Sequence, residues 1–110
     1  MIRRTHTCGQ LRESDIGSSV ALAGWVNAYR DQGTGLVFID LRDREGLTQL
    51  VFDLEDTSED VLTLAHRIRN EDIIGIEGTV RARVGGKNHK IPTGEIEIVV
   101  STLEKFTEID

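Results

Sequence analysis

Phe38, Asp40 and Arg42 occupy alternate positions in LVFIDLRDREGLTQLVFD, residues 36–53, and the amide of Gln49 follows beyond a charged turn. Two short apolar runs, 36–41 and 47–52, are rich in Val, Ile and Phe. Arg42-Asp43-Arg44-Glu45-Gly46 separates them, the signature of a β-hairpin. Side chains alternate along a strand, so Val37, Ile39 and Leu41 form a core face while Phe38, Asp40 and Arg42 share the other. On the second strand Thr48, Leu50 and Phe52 point inward, which leaves Gln49 on the side of Phe38. A flat ring beside an amide and an Arg on a rigid sheet suits the stacking of a base and the reading of its edge.

The rest of the chain supplies the frame for that hairpin. Residues 1–18 form a polar lead-in with turns at Gly9, Ser14-Asp15 and Gly17, and one short helical turn over 10–13. From Ser19, Val20, Leu22, Gly24, Val26 and Ala28 alternate with Ala21, Ala23, Trp25, Asn27 and Tyr29. This is a long strand with two partly apolar sides, ended by Arg30-Asp31. Gly24 marks a bulge or sharp coil that lets one strand serve both halves of a closed barrel. Thr57 is placed to cap a helix over 58–69, with acid in its first turn, Arg67 and Arg69 at its end, and a stripe of Val61, Leu64, Ala65 and Ile68. A fourth strand carries Ile74, Ile76, Gly78 and Val80. A loop over 84–94 holds two glycines, Lys87, Asn88, His89, Lys90 and Pro92. A fifth strand runs from Glu95 to about Thr102, with Ile96, Ile98 and Val100 inward and Glu95, Glu97 and Ser101 outward.

Three strands, a helix and two more strands form an all-β plan with one helix: the five-stranded Greek-key OB-fold barrel, helix between strands three and four. Other small barrels are the competing architectures. At 110 residues the chain makes one domain, 1–110, with the barrel over 19–106. Thirteen Lys and Arg against 19 Asp and Glu give a net charge of −6, which argues against holding nucleic acid by bulk electrostatics. A small, locally basic reading site is compatible with that balance. The single Cys8 cannot form an internal disulfide, and no apolar run reaches signal or transmembrane length. A soluble, cytoplasmic chain without membrane attachment is expected.

RTHTCGQLRESDIG, AGWVNAYRD, FIDLRDREGLTQLVFD, RIRNED, GTVRAR and PTGEIEI together resemble the N-terminal domain of bacterial-type aspartyl-tRNA synthetases, across nearly the whole chain. FIDLRDREGLTQLVFD is the specific signature, and the THTCG lead-in with DLRDREG favours the aspartyl branch over the related lysyl and asparaginyl barrels. The resemblance implies a domain that binds the anticodon of aspartate tRNA, G-U-C. Aspartate activation with ATP and magnesium, and transfer to the tRNA, belong to a C-terminal domain that this chain lacks. It further implies a homodimeric parent, and no catalytic residue, metal or cofactor in this domain.

By the same resemblance Phe38 matches the ring that stacks on the central uridine. Gln49 matches an amide that bonds anticodon bases, and Glu97 a carboxylate that reads a base edge. Arg30 and Arg83 match arginines at the ends of the first and fourth strands, while Asn88 and Lys87 are candidate RNA contacts from the loop. The chemistry agrees: a carboxylate accepts from guanine N1/N2 or cytosine N4, Gln donates and accepts at once, and Arg serves phosphates or base carbonyls. The chain departs from the family pattern at Ala28-Tyr29-Arg30, where a basic triplet is usual, and in a loop over 32–35 that is one residue longer.

Each residue also has a plainer reading. Phe38 can cover a barrel end, Gln49 can be solvated, and Glu97 can be an edge-strand charge that prevents mispairing. Trp25 and Tyr29 read as packing. Asp40, Arg42, Asp43, Arg44 and Glu45 are expected to pair among themselves around the turn. His6 and Cys8 lack a second pair at ligand spacing, which argues against zinc. Gly85-Gly86-Lys87 lacks the context of a phosphate loop and reads as a mobile tip, with Lys87 and Lys90 making a local positive loop able to close over RNA. A general single-strand binder would show little preference among loops, and a protein-interaction barrel would bind no RNA. Stacking at roughly 1–3 kcal/mol per base implies an affinity on the order of micromolar to millimolar for the isolated domain.

Overall fold

Alternation of apolar and polar side chains over five segments yields the strands β1 (Ser19–Asp31), β2 (Val37–Asp43), β3 (Gly46–Phe52), β4 (Ile73–Ala82) and β5 (Ile96–Lys105). One helix, α1 (Glu59–Ala65), lies between β3 and β4. The computed structural model describes residues 2–106, so Met1 and residues 107–110 of the expected domain lie outside the described residues. The strands close into a barrel in the order β1-β2-β3-β5-β4. This is the OB-fold plan expected from the strand and helix order.

β1 serves both halves of the barrel. Ser19 to Trp25 pair with β4, and Trp25 to Asp31 pair with β2. The register shift falls between Val26 and Ala28 rather than at Gly24. Gly24 matters for another reason. A Cβ there would overlap the Arg42 carbonyl oxygen, so the close crossing of β1 and β2 requires glycine. The parallel pairing of β3 with β5, Leu50 opposite Ile98 and Val51 opposite Val99, closes the barrel. β5 is therefore an interior strand, bonded on both sides.

The inward faces meet as expected: Val37, Ile39, Leu41, Leu50, Phe52, Ile74, Ile76, Ile96, Ile98 and Val100 are all fully buried. Tyr29 packs against this core. The lead-in is less peripheral than its polarity suggests, because Cys8 and Leu11 join the same core. Its helical turn is a 3-10 turn at Glu13–Asp15, which overlaps the expected 10–13 only at Glu13.

α1 is shorter than its sequence stripe, and Ser58 rather than Thr57 is its N-cap, accepting from the Val61 amide at 3.3 Å. Thr57 is turned inward. Its Oγ1 donates to the Val100 carbonyl at 3.1 Å and accepts from the Asp53 amide at 3.2 Å. Past Ala65 the backbone tightens into three-residue turns, with Arg67 bonded to Leu64 and Ile68 to Ala65. Arg69 Nη1 donates to the carbonyls of His66 and Ile68, satisfying the end of the helix. Leu62, absent from the expected stripe, is buried with Ala65 and Ile68.

Candidate nucleic-acid interface

The hairpin face predicted to carry chemistry is built by register. Arg30 stands opposite Phe38 across β1–β2, Asp40 opposite Gln49 across β2–β3, and Arg81 opposite Glu97 across β4–β5. Directly opposed residues share a face, so these six side chains point the same way. With Gln32, Leu36, Val51, Asp53, Arg83, Val84, Gly85 and Gly86, five of them line one open cleft of about 610 Å³. Asp40 stands beside it through Arg30.

Arg30 holds Asp40 with both guanidinium arms, at 2.9 and 3.0 Å, and its carbon centre lies 5.9 Å from the centroid of the Phe38 ring. The hydrogen bond to Asp40 raises the Arg30 pKa against partial burial. Arg30 Nη2 also donates to Gln49 Oε1 at 3.3 Å, and Arg83 Nη1 donates to the same oxygen at 3.1 Å. Gln49 Nε2 donates to Glu97 Oε1 at 2.9 Å. This pattern fixes the amide, with its oxygen toward the arginines and its nitrogen toward the carboxylate. Burial lowers the Arg83 pKa, and Arg83 Nε is anchored on the Ile96 carbonyl at 3.2 Å.

Glu97 is the surprise. It sits on an outward position, yet only 1% of it is exposed. Arg81 covers it, donating through Nε to Oε2 at 2.8 Å. An edge-strand charge was the plain expectation. The parallel closure onto β3 and the cover of Arg81 make it instead a buried, paired carboxylate. Sequence reasoning passed over Arg81. Its alternation with Arg83 was visible, but its partner on β5 was not.

The structure gathers Phe38, Gln49, Glu97, Arg30 and Arg83 in the cleft, with Phe38 only partly buried. Asn88 and Lys87 stand in the adjoining loop, and neither lines the cleft. Asn88 Oδ1 accepts from the Lys90 amide at 3.0 Å and so shapes the loop. Lys87 Nζ lies 3.1 Å from Glu95 and 3.4 Å from Glu13. Its charge is thus set against two carboxylates, and the expected positive loop is partly neutralised. The turn charges also differ from expectation. Asp43 accepts from the amides of Cys8, Glu45 and Gly46, while Arg42 donates to Asn27 at 3.3 Å. Among the described residues no group of three His, Cys, Asp or Glu is placed to hold a metal ion, and no helix is long and apolar enough to cross a membrane.

An amide and two guanidiniums around a partly exposed ring form a platform for a planar, hydrogen-bonding ligand. The aspartate–tRNA(Asp/Asn) ligase of Anaeromyxobacter dehalogenans strain 2CP-C is 55% identical over 105 residues, covering 96% of this chain and 17% of that protein. The enzyme of the same name from Caulobacter strain K31 is 54% identical over 106 residues, again 17% of its length. The chain thus spans about a sixth of the relatives it matches. Among solved structures, asparaginyl-tRNA synthetase from Pyrococcus horikoshii superposes with a TM-score of 0.79 at 28% identity, over 99% of this chain and 24% of that one. An OBody bound to hen egg-white lysozyme reaches 0.86 at 22% identity over 99% of this chain and 100% of its own, a likeness of fold. A family model described as tRNA_anti-codon, OB-fold nucleic acid binding domain, matches residues 20–106, and with the barrel and its cleft in place the chain belongs to that family.

Proposed function

We propose that this chain is the N-terminal anticodon-binding domain of an aspartate–tRNA ligase, a single unit of lead-in 1–18 and barrel 19–106, and that it reads the G-U-C anticodon of aspartate tRNA. The observation that carries the reading is the partly exposed Phe38 ring flanked by Arg30 and Gln49 in one cleft. In this reading Phe38 stacks on the central uridine, and Gln49 with Arg30 and Arg83 meets the base edges. Glu97 accepts from an amino-bearing base, and Asn88 and Lys87 approach the RNA from the β4–β5 loop. Activation of aspartate with ATP and magnesium falls to the remainder of a cytoplasmic, homodimeric parent, and this domain binds without catalysing. The similar ligases are named for tRNA(Asp/Asn), which supports including asparagine tRNA, whose anticodon differs only in its third base.

Calorimetric titration at low salt tests this with RNA hairpins carrying G-U-C, G-U-U and G-A-C, against wild type and Phe38→Ala. Preference for the two hairpins with central U, largely lost in the variant, is the expected result. Equal binding of all three by the wild type would instead mark a general single-strand binder. No binding at all would refute the decoding role of the domain on its own.

A further inference from the structure

Both oxygens of the Glu97 carboxylate are occupied in the free protein, Oε1 by Gln49 Nε2 and Oε2 by Arg81 Nε. The Glu97 side chain is 2% exposed and the Arg81 side chain 30%; both line the cleft, and there the Arg81 guanidinium occupies Oε2. A base edge that takes Oε2 must displace the Arg81 Nε bond. A place for it to go is already built. Arg81 Nη1 lies 3.5 Å from Asp56 Oδ2, and Nη2 lies 3.9 Å from Asp53 Oδ2. Both separations exceed the roughly 2.7–2.9 Å of a tight charge-assisted bond, which leaves room to shorten.

We propose that Arg81 is a latch on Glu97: it covers the carboxylate in the free protein and swings onto Asp56 and Asp53 when RNA binds, exposing Oε2 to a base. The inference rests on the reading under Proposed function and names the residue that governs selection at that site. Baring a buried carboxylate without a replacement donor is costly. The latch therefore opens productively only for a base that brings an N–H to Oε2, such as the amine of cytosine or guanine. A carbonyl at the same place repels the carboxylate and leaves Arg81 closed. Arg81 acts through Glu97 and is a positioning residue.

Asp56 gives the test, because its side chain is 48% exposed while its turn is held by its own amide bonded to Asp53. Removing a negative charge beside bound RNA ordinarily strengthens binding. The latch demands the opposite sign. The 110-residue chain is titrated with the G-U-C hairpin as wild type, Asp56→Asn, Glu97→Gln and the double variant. Asp56→Asn is expected to weaken binding about twofold to fivefold, the size of one exposed ion pair. That loss should vanish in the Glu97→Gln background, where no charged carboxylate remains to be uncovered. Unchanged or tighter binding by Asp56→Asn would overturn the latch, as would an equal loss in both backgrounds. Failure of the wild type to bind the hairpin would instead overturn the anticodon reading, and the latch with it.

Discussion

Gly9 and Gly46 meet backbone to backbone where the lead-in crosses the β2–β3 turn: a Cβ on Gly46 would lie 2.6 Å from the Gly9 Cα. A Cβ on Gly9 would overlap the Glu45 carbonyl oxygen. Neither obstacle is a flexible side-chain tip, so neither can step aside. Around this contact the Cys8 amide donates to Asp43 at 2.8 Å, and Thr48 Oγ1 donates to the Cys8 carbonyl at 2.6 Å. The lead-in is therefore clamped to the hairpin that carries Phe38 and Gln49.

Gly46→Ala should destabilise the chain by about 1–3 kcal/mol, the usual cost of overpacking. Urea denaturation followed by circular dichroism measures it. A change within about 0.5 kcal/mol, the usual range for surface substitutions, would show that the crossing is looser than described.

Thr48→Val removes a fully buried donor and leaves the Cys8 carbonyl short of its partner. The expected loss is about 1–3 kcal/mol, with RNA affinity at saturating fold little changed. The same denaturation series reports it, with Thr48→Ser as the rescue that restores the hydroxyl.

Asp43 makes stability depend on acid. Burial pushes its carboxyl up, but the amides of Cys8, Glu45 and Gly46 outweigh it and hold the pKa below the ordinary 3.8. A depressed folded pKa contributes stability in full above 3.8 and loses it as pH falls through the folded value. Denaturation midpoints measured on either side of that pH should fall less steeply for Asp43→Asn than for wild type. Parallel curves would show that the carboxylate gains nothing on folding.

Arg30→Lys keeps the charge but loses the two-armed hold on Asp40 and the planar contact with Phe38. Affinity for the G-U-C hairpin should fall by about 1 kcal/mol, close to fivefold, while stability shifts by less than about 0.5 kcal/mol. Titration beside a melting curve separates the two. An equal drop in both would mean that Arg30 holds the sheet and not the ligand.

Much of this molecule could be read from its residues one after another. The alternation in 37–41 and 48–52 decides which side chains go inward, because a strand admits only two faces. Phe38 and Gln49 follow from that alternation, and Arg30 joins them once β1 and β2 are paired in register. The helix was legible as a stripe but not in its length. Thr57, the expected cap, is drawn inward to Val100, a residue far along the chain.

What the order of residues determined by itself is local: strand periods, the hairpin, the breaker glycines, and the ring and amide on one face. Only the closed barrel decided the rest. Parallel pairing of β3 with β5 brings Gln49 against Glu97, and antiparallel pairing of β4 with β5 sets Arg81 over the same carboxylate. Those contacts join residues 16 and 48 positions apart, and no periodicity within a segment encodes them. A carboxylate that reads as solvated on its own strand becomes buried because two other strands cover it.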